Sequence, residues 1–245
     1  MTKLYAIPLS HPAIAARKML ERAGIEHEVV TIPSGLHPIV LRVRGFRGGT
    51  VPALLLDGRR VQGSLEIARA VADASPPGTI YPVDPDARAR VEEAERWGEA
   101  ELQPIPRRAL RWALVNRTAL RRWLMEVNRI PFPGVAGALM KPVARVFAGI
   151  SNADDATVRR DLERLPGLLD RVDALIAEGT IGGEEPNAAD WQIGTSVRAM
   201  MAIEDLRDAI EGRPAADLAR RLVPGYRGRA PSVVPEAWRP APYGE

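Results

Sequence analysis

The chain changes character near residue 80. Before that point short apolar runs alternate with helical stripes, and after it only helical stripes remain. Leu4 to Ile7 is an apolar run of strand length, Ala13 to Ala23 has helical spacing closed by Gly24, and His27 to Ile32 carries Val29, Val30 and Ile32 as a second strand. A connection rich in Gly and Arg follows from Ser34 to Gly49. Val51 to Leu56 is then apolar, Asp57-Gly58 is a hairpin turn signal, and Arg59 to Gln62 returns antiparallel. Ser64 opens a helix with Leu65, Ile67, Ala68, Val71 and Ala72 on its apolar face, and Pro76-Pro77-Gly78 ends it. The order is βαβ followed by ββα.

From Asp86 onward the pattern is helical, which puts a domain boundary near residues 76–85. The expected organisation is one domain over 1–78, a second, all-helical one over 86–223, and an extended Pro-rich tail over 224–245. Ala156 to Ala177 carries Val158, Leu162, Leu165, Leu169, Val172 and Ile176 in steps of three and four, the mark of one buried stripe, with Pro166 expected to bend or interrupt it. Asn187, with Asp190 three residues on, reads as an N-cap that opens a central helix containing Trp191, Ile193, Val197, Met200 and Met201.

Composition removes several classes of function. At 46% hydrophobic and 27% charged residues the chain is a soluble globular protein, and a net charge of +3 is too small to diagnose a nucleic-acid partner. The N-terminus shows no signal-peptide pattern. The 11 uncharged residues between Arg129 and Lys141 include prolines and glycines and fall short of the roughly 20 apolar residues a bilayer span needs. A cytoplasmic location is the expectation. With no Cys, the chain has no disulfide, thiolate metal site or cysteine nucleophile, so thiol chemistry requires a thiol from a substrate. His11, His27 and His37 show no ligand spacing, and no metal site is expected.

Three elements taken in order carry a resemblance. Thr50-Val51-Pro52-Ala53-Leu54 is followed by Ser64 and Ile67, and GGEEPNAADWQIG spans Gly182 to Gly194 in the helical half. The chain is similar over nearly its whole length to the glutathione transferase superfamily. The resemblance implies an α/β plus all-α fold, with a thioredoxin-like βαβββα domain on a mixed sheet and then a helical bundle. It implies glutathione or another low-molecular-weight thiol as cosubstrate, an electrophilic second substrate, and a possible homodimer. Pro52 would follow a cis bond, the one common context in which that isomer costs only about 0.5–1 kcal/mol. The Val51 backbone would then meet the cysteinyl backbone of the thiol peptide. Ser64, at a helix start where free N–H groups favour anions, would hold the γ-glutamyl carboxylate; its other reading is an N-cap alone. The family usually has Glu or Gln before that serine, and Gly63 offers no side chain there.

Ser10 falls where many relatives carry a catalytic Ser or Cys. It would donate its hydroxyl to the bound sulfur and favour the thiolate; its alternative is an N-cap before Pro12. His11 is the second catalytic candidate, with an exposed loop histidine as the competing reading. Tyr5 lies inside a strand, away from the position a tyrosine-dependent mechanism needs, and Arg17 reads as a salt-bridge residue. Relatives that exchange or reduce disulfides use cysteine at the Ser10 position, so those reactions are disfavoured here. Activation of a small-molecule thiol for attack on an electrophile remains, as does a non-catalytic ligand-binding or interaction protein of the same fold.

Residues 107–147 hold Arg107, Arg108, Arg111, Arg117, Arg121, Arg122, Arg129, Lys141 and Arg145 against Glu126 alone, a local charge of +8. Trp112 and Trp123 are interleaved with them. A solvated basic face, a wall attracting an anionic substrate, and a macromolecular surface are the three readings. No motif singles out a nucleic-acid or membrane partner.

Overall fold

The computed structural model describes residues 1–127, 130–226 and 229–244. Its first part holds β1 (Thr2–Ala6), α1 (His11–Arg22), β2 (His27–Thr31), α2 (His37–Val43), β3 (Ala53–Leu56), β4 (Arg59–Gln62) and α3 (Ser64–Asp73). The four strands form one sheet in the order β2-β1-β3-β4, with β1 and β2 parallel and the other pairs antiparallel. This is the expected mixed sheet of thioredoxin-like layout. Alternation along the strands divides the side chains between two faces. Leu4, Leu54 and Leu56 meet Met19 and Leu20 of α1 and Ile67 of α3. Tyr5 and Ala53 point the other way, to Ile32, Leu41 and Phe46.

One helix was not expected. The connection over 34–49 contains α2, started by Pro38 in its first turn and anchored by buried His37 and Leu41. Seven residues make fewer than two full turns, too few repeats for a stripe to be legible. The strand expected from Val51 starts instead at Ala53, because Pro52 has no N–H for a ladder.

The second part is helical: α4 (Pro85–Trp97), a π-helical turn (Gly98–Leu102), α5 (Pro104–Asn116), α6 (Thr118–Val127), α7 (Pro133–Leu139), α8 (Lys141–Ile150), α9 (Asp155–Ala177), α10 (Ala188–Met201), α11 (Glu204–Arg207) and α12 (Pro214–Leu222). The π turn closes with Gln103 N–H on Gly98 C=O at 2.9 Å, just before Pro104, which has no N–H to continue an α-helical ladder. Pro166 lies inside α9 without ending it.

Buried α10 forms the centre, packed by α1, α4 and α12. Its start is a capping box: Asn187 Oδ1 accepts Asp190 N–H at 3.1 Å, and Asp190 accepts Asn187 N–H at 2.9 Å and Gly182 N–H at 2.7 Å. Gly194 lets α12 approach, since a Cβ there would lie 2.4 Å from Leu222 Cδ1. One apolar core runs from α1 and α3 through α4, α5, α9 and α10. Beyond α12, Val233 and Val234 are buried and donate their N–H groups to Asp205, while Trp238 packs on Trp112 with ring centroids 5.1 Å apart.

Candidate active site

The register brings three segments to one end of the sheet. Tyr5 pairs with Ala53, and Ala53 with Gln62, so the chain leaving β1 for α1, the Val51–Pro52 peptide and the start of α3 all lie beyond that rung. The Val51–Pro52 bond is cis, as the resemblance implies. Gly63 N–H donates to Pro52 C=O at 3.1 Å and ties the last two segments together. The N–H and C=O of Val51 have no hydrogen-bond partner among the described residues.

Ser10 is the N-cap of α1, and its Oγ accepts Ala13 N–H at 3.4 Å. Its hydroxyl hydrogen has no acceptor among the described residues, so capping leaves the donor free. Leu9 before it has φ 63°, and its carbonyl accepts the Tyr226 hydroxyl at 3.0 Å. Burial pushes the Tyr226 phenol up to about 12, against a smaller opposing pull from Arg198.

At α3, Gly63 is the N-cap with φ 92° and ψ 147°, a conformation essentially reserved for glycine. No side chain caps this helix, so its first-turn N–H groups stay open to an anion. Ser64 is buried, and its hydroxyl meets two groups from the helical part. Gln103 Nε2 donates to Oγ at 3.2 Å, and Oγ donates to Glu99 Oε1 at 3.5 Å. Burial holds the Glu99 carboxyl above the ordinary range, partly offset by the Ser64 hydroxyl and by Arg69 and Arg107. Sequence reasoning missed Glu99 and Gln103 because neither belongs to a local motif; only packing brings them to Ser64.

His11 is buried at the start of α1, not on an exposed loop. Burial, then the Arg107 charge, lowers its pKa to about 3 against an opposing hydrogen bond to the Gln103 backbone, so the ring is neutral at neutral pH. Its Nε2 has no hydrogen-bond partner among the described residues. Tyr5 is buried edge-on against Phe46, at 5.4 Å between centroids, and Arg17 pairs with Glu21 at 3.3 Å. Gln62 turns away from the site and clamps the preceding loop through Gly48 N–H (2.7 Å), Gly48 C=O (3.0 Å) and Thr50 C=O (3.2 Å).

The basic segment divides into distinct roles. Arg121 is buried and closes the C-terminus of α5 on Leu114 and Val115 C=O, Arg108 chelates Asp161, Arg117 holds Val233 C=O, and Arg122 pairs with Glu126. Arg107 and Arg111 are one turn apart on α5, and neither has an acidic salt-bridge partner among the described residues. Burial and then the Arg107 charge lower Arg111 to about 10; burial and then Arg108 lower Arg107, although its side chain still reaches solvent. Arg111 donates to Phe147 C=O at 3.3 Å and its guanidinium lies 5.5 Å from the Phe147 ring centroid. The Arg107 charge acts on His11 and that of Arg111 on His37, so both reach towards the sheet domain. Arg129 lies outside the described residues. Among the described residues no group of His, Asp and Glu could hold a metal ion.

Residues 4–79 match the family model described as glutathione S-transferase, N-terminal domain. This stretch is similar to a glutathione S-transferase N-terminal domain, and the whole chain has the glutathione transferase fold. It resembles glutathione transferase F7 from Populus trichocarpa at 16% identity and a TM-score of 0.61, covering 93% of this chain and 100% of that one. Glutathione transferase F2 from the same species gives 16% and 0.61 over 97% of this chain and 95% of that one. A glutathione S-transferase from Sinorhizobium meliloti 1021 gives 18% and 0.59 over 97% and 96%. No curated protein matches the sequence.

Proposed function

We propose that the protein is a glutathione transferase-like enzyme that activates a bound peptide thiol with Ser10 and directs it to an anionic electrophile. The observation that carries this reading is the unpartnered Val51 peptide, at the end of the sheet from which both α1 and α3 start. An extended peptide needs such a free N–H and C=O pair to be held by its backbone. The free first-turn amides of α3 suit a carboxylate, and Glu99 supplies, from the helical part, the negative side chain absent at Gly63 for a neighbouring ammonium group. These residues fit glutathione, which when bound supplies the thiol the cysteine-free chain lacks.

Ser10 donates its free hydroxyl hydrogen to the sulfur, and the α1 N-terminus adds positive potential; both favour the thiolate over a thiol of pKa about 8.5. Buried, neutral His11 carries no charge into the site, and its proposed part is a hydrogen bond rather than proton release. Arg107 and Arg111 attract and orient a carboxylate-bearing electrophile. In this scheme residues 1–78 hold the thiol, 86–223 select the electrophile, and 224–245 brace the turn before Ser10 through Tyr226, with 227, 228 and 245 outside the described residues. The proposed location is the cytoplasm and the proposed assembly a homodimer.

A second reading, a ligand-binding protein without turnover, draws on the Ser64 hydroxyl, already engaged by Gln103 and Glu99. Calorimetric titration with glutathione and with an S-alkyl glutathione, which needs no free thiol, tests both. Binding of both ligands, with turnover of anionic electrophiles that Ser10→Ala reduces, supports the enzyme. Binding without turnover favours the second reading, and no binding at millimolar concentration overturns the glutathione assignment.

A further inference from the structure

Phe132, Val135, Leu139, Val143, Val146 and Ile150 stand 48–80% exposed along α7 and α8. From Val135 to Ile150 the steps of three and four residues keep them on one stripe, which continues through Met140, whose φ of −73° and ψ of −18° stay helical, while Phe132 is the N-cap residue before α7. The opposite side is packed: Gly137 meets the Arg121 and Arg122 backbone, and Ala144 and Ala148 are buried. Lone exposed apolar residues are ordinary on a soluble protein, but an unbroken helical row of large ones marks a contact surface.

The charge around the row has one sign. Between Glu126 and Asp154 the sequence has no acidic residue. Lys141 and Arg145 have no acidic partner among the described residues. The row adjoins α2, because His37 stacks on Phe147 at 5.6 Å and a Cβ on Gly35 would lie 4.0 Å from Val143 and Phe147. There Leu36, Ile39 and Val43 are exposed, with Arg42, Arg44 and Arg47 around them, which have no acidic partner among the described residues.

We propose that α7 and α8, with α2 beside them, lay the protein on an anionic lipid bilayer. The apolar row enters the boundary between headgroups and acyl chains while the rim of Lys and Arg meets lipid phosphates, the arrangement of an interfacial amphipathic helix. It requires no span, and among the described residues no helix is long and apolar enough to cross a membrane. A second copy is a poorer occupant, because a two-fold contact would set basic rim against basic rim. A nucleic acid would leave the apolar row without a partner.

The test is co-sedimentation of the full chain with phosphatidylcholine vesicles, with and without phosphatidylglycerol. Since the chain lacks Cys, Phe132→Cys gives a single site for a polarity-sensitive dye, and Asp217→Cys, at an exposed position on α12, gives the control. The proposal expects binding to the anionic vesicles only, a blue shift at position 132 and none at 217. Binding falls about fivefold for Arg145→Gln. It falls about tenfold or more when Leu139→Glu and Val146→Glu are combined, exposed changes whose folding circular dichroism checks. No binding to anionic vesicles, or binding that survives the double change, overturns it. So does a wild-type dimer without vesicle binding that the double change splits, which would assign the row to a second copy.

Discussion

Gln103 donates its side-chain amide to the Ser64 hydroxyl across a buried 3.2 Å hydrogen bond. One residue ends the π-helical turn before α5 and the other begins α3, so this contact fixes the helical part against the end of the sheet domain where α3 starts. Gln103→Met keeps the volume and removes the donor. It is expected to cost about 1 kcal/mol of stability, and its effect is expected not to add to that of Ser64→Ala. Urea unfolding of the two single variants and the double variant measures the coupling.

Glu95 carries an opposite prediction for pH. It is buried with its Oε2 accepting the Tyr81 hydroxyl at 2.8 Å, and burial raises its pKa from 4.5 to about 7. A raised carboxyl binds more protons in the folded than in the unfolded chain. Its contribution to stability is therefore full below pH 4.5 and is lost as pH rises through about 7. Glu95→Gln keeps an acceptor for Tyr81 and is expected to flatten this fall, so that the variant equals or exceeds the wild type near pH 8. Denaturant midpoints across that range decide it.

His11 titrates in the other direction. With its pKa lowered from 6.5 to about 3, the unfolded chain takes up a proton that the folded chain refuses. Stability contributed by the neutral ring is full above pH 6.5 and is lost towards pH 3, with a limiting slope of about 1.4 kcal/mol per pH unit. His11→Gln is expected to remove that slope. Where the two windows overlap, from pH 4.5 to 6.5, Glu95 and His11 oppose each other, so the single variants, rather than the wild-type profile, resolve them.

Gly63 accounts for the departure from the family at the glutamyl side of the site. A Cβ there meets nothing within 4 Å, so the constraint is backbone conformation rather than space. Gly63→Gln restores the family's side chain but forces it to φ 92°, at an expected cost of about 1–3 kcal/mol. If Glu99 already serves the ammonium group, the change brings no gain in glutathione affinity, whereas Glu99→Gln weakens it; calorimetry with the three proteins makes the comparison.

Local grammar made half of the candidate site's geometry legible. Ser10 before Pro12, Val51-Pro52 before an apolar run, and Ser64 at a helix start each announce themselves within a few residues, because caps, proline and strands are short-range phenomena. The Asn187–Asp190 capping box was readable for the same reason. Glu99, Gln103 and Arg107 were not, since they meet Ser64 and His11 only through the packing of α4 and α5 on the sheet domain. Tyr226 reaches Leu9 from the far end of the chain. The basic run hid its division of labour: charge counting treats buried Arg121, which closes a helix end, and exposed Arg107, whose charge acts on His11, as the same residue. α2 escaped because its seven residues make fewer than two turns, too few to show a repeated stripe.

The most direct test of the central claim is the ultraviolet thiolate absorbance of glutathione bound to the protein as pH is raised, with the S-methyl derivative as the blank for tyrosine. The cysteine-free chain contributes no thiolate of its own. The account predicts that the bound thiol ionises clearly below the free value of about 8.5, and that Ser10→Ala returns it towards that value. A bound thiol that titrates like the free one, or a shift that survives Ser10→Ala unchanged, would contradict it.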